Sequence, residues 1–285
     1  MLGYYNLSLQ GTSHITSGIP CQDSSHIMVL DNGWAVAIIA DGLGAAKHSD
    51  IGSYLAVNTV GQHISENCPK KWNVPKLTAL MRDAFERASN DIKNKSVMEN
   101  NAIVDYDTTL TALVYNGSQV VFGHVGDGGI ITLTKHGNFS RLTRVQKGHE
   151  FNMVSPLRSC DKWVFGSSDN DICAVALLTD GIYDVTCPWI LDGEKQPIYV
   201  NYIRPFMDRN VLKAKSSSDF EKVRREIKDF LNSPYNAKIT DDKTIAVIIN
   251  LGVMPAVKPD DYYAEPDWEG LQSARRLRLY DTQTL

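Results

Sequence analysis

Four aspartates in this chain stand where a strand-like apolar run meets a turn. Val36-Ala37-Ile38-Ile39-Ala40 leads into Asp41-Gly42, residues 120–126 into Asp127-Gly128, and residues 174–179 into Asp180-Gly181, while Asp241-Asp242 immediately precedes Lys243 and the run to Ile249. Carboxylates at the ends of adjacent strands can converge on one rim of a sheet, where together they can hold a hard divalent cation. Each Asp-Gly alone also reads as a hairpin turn, in which glycine supplies a positive φ; Asp192-Gly193 is read as only such a turn. The flanking residues set the others apart. Ile38-Ile39-Ala40 and Ala176-Leu177-Leu178 are apolar without alternation, the pattern of strands buried on both faces. A carboxylate at the mouth of such a strand lies beside low dielectric and requires a metal or a partner.

The elements that must position these carboxylates follow from pattern. Strands are expected over 4–10 and 26–40, with Gly33 marking a turn between two of them. A helix is expected from about Ser49 to Glu66, where Ile51, Leu55, Val60 and Ile64 recur at helical spacing. Leu77, Leu80, Met81, Ala84, Phe85, Ala88 and Ile92 form one continuous apolar helix face entered through Pro75, read as core. Strands return at 108–115 and 119–126 around Asn116-Gly117, and a further hairpin spans 130–142 around His136-Gly137-Asn138. Residues 143–171 are polar and irregular, a loop beside the expected site. Residues 188–236 turn helical again, with Ser218-Asp219-Phe220-Glu221 read as a capping box ahead of Val223, Ile227, Phe230 and Leu231. The last strand is 244–251. Blocks of strands separated by paired helices fit a layered fold better than a regular βαβ alternation.

Composition bounds the function classes. Of the 285 residues 43% are apolar and 22% charged, enough to bury a core in an ordinary globular protein. A net charge of −4 without a basic stripe argues against a nucleic-acid binder. No apolar run reaches the length of a membrane span, and Met1-Leu2-Gly3-Tyr4-Tyr5-Asn6 lacks the charged and apolar regions of a signal peptide. Cys21, Cys68, Cys160, Cys173 and Cys187 are odd in number without Cys-x-x-Cys spacing, which points to a reducing cytoplasm. At 285 residues, length alone allows one large domain or two small ones. In the tail, 253–285, Pro255, Pro259 and Pro266 punctuate an acidic, aromatic stretch that is followed by Arg275, Arg276 and Arg278. That tail is expected to be peripheral, with a regulatory or partner-binding role as the alternative.

Six markers in order carry a family resemblance: Pro20-Cys21-Gln22-Asp23-Ser24, Ala40-Asp41-Gly42-Leu43-Gly44, Thr108-Thr109-Leu110-Thr111, Gly126-Asp127-Gly128, Thr179-Asp180-Gly181-Ile182-Tyr183-Asp184 and Asp241-Asp242-Lys243-Thr244. From about Gly11 to Asn250 the chain resembles the metal-dependent protein phosphatases of type 2C, particularly the compact bacterial-type members. The resemblance implies one catalytic domain over residues 1–252 with an α+β fold, a four-layer α-β-β-α sandwich of two central antiparallel sheets flanked by helix pairs. It implies two Mn2+ or Mg2+ ions with a possible third, and hydrolysis of phosphoserine or phosphothreonine. The partners it implies are a phosphoprotein substrate and an opposing Ser/Thr kinase, for a monomer that engages neither nucleic acid nor membrane. By resemblance Asp41 bridges the metals and the Gly42 carbonyl is directed at one of them, Asp180 and Asp241 complete the first metal's protein ligands, and Asp23 lies outside them, holding a metal-bound water. Asp127 and Asp184 match the positions of a third ion, although Asp184 also reads as a helix-start residue. Such chemistry suits carboxylates: a phosphate monoester dianion repels nucleophiles and hydrolyses very slowly, and two hard ions about 4 Å apart activate water and neutralise the phosphoryl oxygens.

The chain also departs from the family pattern. An acidic position before Asp23 is Gln22, and the arginine that grips substrate phosphate in many members would stand near Gly18. His14 is the nearest residue able to substitute for it, although a lone histidine near a strand end is commonly structural. The family's Asp-Gly-His variant reads Asp41-Gly42-Leu43, with His48 nearby, and its Gly-Asp-Ser-Arg reads Gly126-Asp127-Gly128-Gly129. The rival reading is therefore a catalytically idle relative that binds a phosphoprotein or kinase as a sensor or scaffold.

Overall fold

A computed structural model of the chain describes residues 1–146 and 154–283. In chain order the elements are β1 (Leu2–Leu9), α1 (Thr12–Ser17), β2 (Asp23–Val29), β3 (Ala35–Asp41), α2 (Ser49–Asn67), α3 (Val74–Met98), β4 (Leu110–Tyr115), β5 (Val120–Val125), β6 (Gly129–Thr134), β7 (Phe139–Arg141), β8 (Val164–Ser168), β9 (Ile172–Leu178), α4 (Asp180–Thr186), α5 (Val200–Met207), α6 (Phe220–Leu231), β10 (Lys243–Asn250) and α7 (Trp268–Gln283). Among the described residues the strands form two five-stranded antiparallel sheets, ordered β1-β10-β9-β6-β7 and β2-β3-β4-β5-β8.

The unalternating apolar runs occupy the middle of the stack because both faces of their sheets are covered. Between the sheets, Ile39, Leu113, Tyr115 and Phe122 meet Ile130, Val175, Leu177 and Ile248. On the outer face of one sheet, Val57, Val60, Ile64, Leu77, Met81 and Phe85 of α2 and α3 cover Val36, Ile38, Val114 and Val121. On the other, Ile182, Tyr202, Ile203, Phe206, Val223, Ile227 and Leu231 of α4, α5 and α6 cover Tyr5, Leu7, Ala176, Ile245 and Val247. Each fully buried large side chain in these layers contributes on the order of 1.5–3 kcal/mol. This is the α-β-β-α sandwich.

Helix α3 shows why the strongest periodicity was legible. The Asn73 side chain accepts from Lys76 N at 2.9 Å, Pro75 stands in the first turn, and the face from Leu77 to Ile92 is buried in its entirety. Gly33, Gly117, Gly137 and Gly193 all take positive φ at the expected turns.

Several expectations need correction. Residues 12–17, where pattern predicts no element, form the short helix α1. Within 143–171, residues 164–168 are not loop but β8, an edge strand on β5; residues 147–153 of that segment lie outside the described residues. The capping box does not form. The Asp219 carboxylate turns back to accept from Lys215 N and Ser216 N at 2.7 and 2.8 Å, closing the turn ahead of α6 instead of its first turn. Asp184 is not a helix-start residue: it lies inside α4, one turn after Asp180.

The tail runs along the α4–α6 side of the body. Phe139 N donates to Tyr262 Oη, Arg204 stacks 3.7 Å over the Tyr263 ring, and Arg275 donates to Trp189 O at 2.8 Å. The side chains of Arg276 and Arg278 lie outside those described. Among the described residues, no helix is long and apolar enough to cross a membrane.

Candidate active site

Antiparallel pairing explains how aspartates far apart in sequence reach one rim. Asp23 opens β2 and pairs directly with Asp41 at the end of β3. In the other sheet Leu178 pairs with Ile245, so the end of β9 lies beside the start of β10, bringing Asp180 and Asp241 to the same end. Strand β5 belongs to one sheet and β6 to the other. The turn 126–128 therefore spans the gap between the sheets, with Gly129 opposite Leu178, and Asp127 sits between the β3 and β9 termini. Gly126 makes that crossing at φ 124°, a conformation L side chains rarely adopt.

Asp41, Asp127 and Asp180 each present a carboxylate oxygen, and these oxygens lie within 4.8 Å of one another. They line a cavity of 220 Å3 together with Asp241, Gly42, His14, Gln22 and Thr109. Strand register is secured by Thr109, whose hydroxyl accepts from Asp41 N at 2.9 Å while its N–H donates to Asp41 O at 2.8 Å. Asp23 is buried behind the cluster and accepts from the Thr179 hydroxyl at 2.8 Å. Asp184 is exposed on α4. His48 is turned elsewhere, its ring 5.2 Å from that of Tyr106.

The aspartate doublet divides its work. Asp241 is exposed at the cavity mouth, whereas Asp242 is buried and accepts from Gly11 N and Gln22 N at 2.6 Å each, with His14 Nδ1 at 2.9 Å. Asp242 thereby ties α1 and the segment before β2 to the start of β10. Gly181 permits the close approach on the other side, since a Cβ there would collide with the Asp242 carbonyl.

So many carboxylates in a low-dielectric rim raise one another's proton affinity. Asp180 is pushed up to about 8, first by burial and then by the charges of Asp127, Asp241, Asp23 and Asp184. Burial raises Asp23 to about 7 against the opposing hydrogen bond from Thr244, with Asp242 adding to the rise. Asp41 is raised well above the carboxylate range by burial and then by Asp23, Asp180, Asp127 and Asp241. A divalent cation is what relieves such repulsion, and a donor set made of carboxylate oxygens suits a hard one.

Sequence reasoning named every carboxylate of the cavity but placed Asp127 in a subsidiary role; the fold brings it into the tightest set with Asp41 and Asp180. It missed Thr109, Thr179 and the clamping role of Asp242. The available signal was a threonine or second acid directly flanking a marker aspartate.

A sequence model of the family described as Protein phosphatase 2C matches residues 10–232 of the 285. The chain belongs to that family. Among its relatives, this phosphatase is 26% identical over 253 residues to serine/threonine-protein phosphatase 3 of Escherichia coli strain K12, across 85% of this chain and 96% of that one. It superposes on a bacterial serine phosphatase with a TM-score of 0.63 at 11% identity, covering 90% of this chain and 100% of that chain. On the catalytic domain of the serine/threonine phosphatase PstP, solved with two manganese ions, the TM-score is 0.56 at 18% identity, covering 87% and 97%. At such identities the structural likeness shows the shared fold.

Proposed function

We propose that this phosphatase hydrolyses phosphoserine and phosphothreonine in proteins at the carboxylate rim, with two Mn2+ or Mg2+ ions. The observation that carries the reading is the convergence of Asp41, Asp127 and Asp180 within 4.8 Å in one cavity with Asp241. Asp41, the Gly42 carbonyl, Asp180 and Asp241 would hold the ions, Asp23 would orient a water from behind, and Asp127 and Asp184 would hold a third. Asp127's place in the tight set supports a ligand role stronger than its sequence position alone. When bound, such ions neutralise phosphoryl oxygens and make water a better nucleophile at neutral pH.

The chain's own residues supply orientation. His14 Nδ1 lies 2.9 Å from the Asp242 carboxylate at the cavity wall, and His14 is the residue proposed to meet substrate phosphate in place of the absent arginine. Gln22, buried in the wall, offers a neutral amide where a further carboxylate would add repulsion. Segment 143–171 is proposed to set substrate preference. Val154 lines the cavity, Leu157 N donates to Thr108 O at 2.7 Å, and Arg158 Nε donates to Asp107 at 2.7 Å, so the segment is anchored beside the mouth. An opposing Ser/Thr kinase, a monomeric state and a reducing cytoplasmic setting belong to the same proposal; the five cysteines are all free thiols.

Phosphate release from a phosphothreonine peptide, with Mn2+ and with chelator, tests the reading in wild type and Asp180→Asn. Metal-dependent turnover lost in the variant is the expected result. The second reading, an idle phosphoprotein- or kinase-binding relative, draws on the cavity lining, which among the described residues includes neither arginine nor lysine. Peptide binding without turnover in Mn2+ would select it.

A further inference from the structure

A second and larger cavity, of 720 Å3, opens between the end of α4, the start of α5, the segment before β10 and the tail. Its size lies within the range of about 300–1,000 Å3 typical of small-ligand sites. Its walls are aromatic. Trp189 and Tyr235 are 65% and 63% exposed, and Tyr199 and Trp268 complete the lining in an edge-to-face pair with centroids 5.3 Å apart. The body alone does not make this cavity, since Glu265, Trp268, Gln272 and Arg275 come from the tail.

Charge decides what such a cavity takes. An aromatic enclosure with a carboxylate commonly receives a cation, but Glu265 already has both oxygens engaged. Its Oε2 accepts from Tyr199 Oη at 2.5 Å and its Oε1 from Trp268 Nε1 at 2.8 Å. The Arg275 guanidinium is already stacked 4.0 Å over the Trp189 ring, so a cation occupies one aromatic face. Lys238 is exposed at the wall and makes no ion pair among the described residues. Two cations thus face the cavity against one carboxylate whose oxygens are already hydrogen-bonded.

We propose that this cavity is a binding site for a small planar aromatic anion, its ring stacked on the exposed aromatic side chains and its carboxylate or phosphate paired with Lys238 and Arg275. The site does not depend on the hydrolytic reading. Its position gives it a bearing on the rim all the same: Val185 in its wall follows Asp184 on α4, and Ile239 stands two residues before Asp241.

The test is a ligand-detected NMR titration of the full chain with 2-naphthoate, its uncharged amide, and 2-naphthyltrimethylammonium as a cation of similar shape. Naphthoate is expected to saturate with a Kd of about 1 mM or tighter, as a fragment of that size allows. The amide and the cation should bind at least ~10-fold more weakly, and Lys238→Glu should weaken naphthoate by ~10-fold. Trp268→Ala should abolish saturation, with circular dichroism checking that the fold persists. Lys238→Glu stands alone if Trp268→Ala does not fold, since Lys238 lies exposed at the wall. Tighter binding of the cation, equal binding of naphthoate to wild type and Lys238→Glu, or no saturation up to about 10 mM would overturn the proposal.

Discussion

The carboxylate rim and the aromatic cavity meet through α4 and the segment before β10, yet they are built on opposite principles. At the rim, Asp41, Asp127 and Asp180 crowd together, and burial followed by neighbouring charge raises the proton affinities of Asp41 and Asp180. Beside the aromatic cavity, both oxygens of the Glu265 carboxylate are hydrogen-bonded by local donors, and the Arg275 cation rests on an indole face. The first arrangement costs stability whenever its carboxylates are charged and unscreened. The second already satisfies its carboxylate, and its removal should cost packing and little else. The difference teaches where function strains the fold, since carboxylates buried together against their own repulsion cluster at functional sites.

The largest expected effect breaks the rim. Asp180→Asn should lower Mn2+-dependent peptide dephosphorylation by at least about 100-fold, because even residues that only support metal ligands commonly cost about 10–100-fold. The same change removes one repelling charge, so it should raise the melting temperature of the chelator-treated protein at pH 8. A variant that loses activity and also melts lower without metal would contradict the repulsion account.

The next effect concerns pH. Asp23 and Asp180 hold their protons up to about 7 and about 8 when folded, well above the ordinary aspartate range of about 4. Between pH 4 and 8 the metal-free native state therefore binds more protons than the unfolded chain, and stability must fall as pH rises through that window. Chelated protein should lose ~2 kcal/mol or more, roughly 5 °C for a chain of this size, and Mn2+ should restore most of the loss at pH 8. A flat melting profile in chelator would sink the idea.

A smaller change sharpens the picture within the rim. His14→Ala leaves Asp242 its two backbone donors, Gly11 N and Gln22 N, so the fold should persist while kcat/KM for a phosphopeptide drops by ~10-fold, or ~1.4 kcal/mol. Unchanged kinetics would return His14 to a purely structural role. The smallest effect lies on the aromatic side. Trp268→Ala loses a half-buried ring packed on Tyr199 and should cost ~1 kcal/mol and a few degrees of melting temperature, with phosphatase activity unaltered. A loss of activity as large as that of Asp180→Asn would show that the two regions are not separable.

Legibility followed the range of the interactions. The face from Leu77 to Ile92 announced α3 because one helix and one buried side suffice to generate the spacing, and Asn116-Gly117 announced its hairpin because the turn is local. Residues 12–17 gave no such signal: the helix α1 has no buried residue and is held from outside, by Ser13 N to Thr240 O at 3.0 Å and by its N-cap Gly11 N on Asp242. Strand β8 was hidden for a similar reason, since an edge strand takes its order from its partner β5 and not from alternation of its own. The Ser218–Glu221 pattern misled because Asp219 had nearer backbone donors at Lys215 and Ser216 than the helix it precedes.

The amino-acid sequence by itself determined which residues can do the chemistry: carboxylates at strand ends, in an order that marks a family, on runs too apolar to be anything but central strands. Only the tertiary structure decided their grouping. Asp127 joins Asp41 and Asp180 because the chain changes sheets at the turn 126–128, and Asp242 leaves Asp241 because Gly11, His14 and Gln22 meet it from the far end of the sequence. The tail's aromatic cavity likewise exists only once residues about eighty positions apart, such as Trp189 and Trp268, are folded together. Spacing along a chain encodes local periodicity, whereas convergence in space depends on strand register and sheet exchange, which no stretch of sequence contains alone.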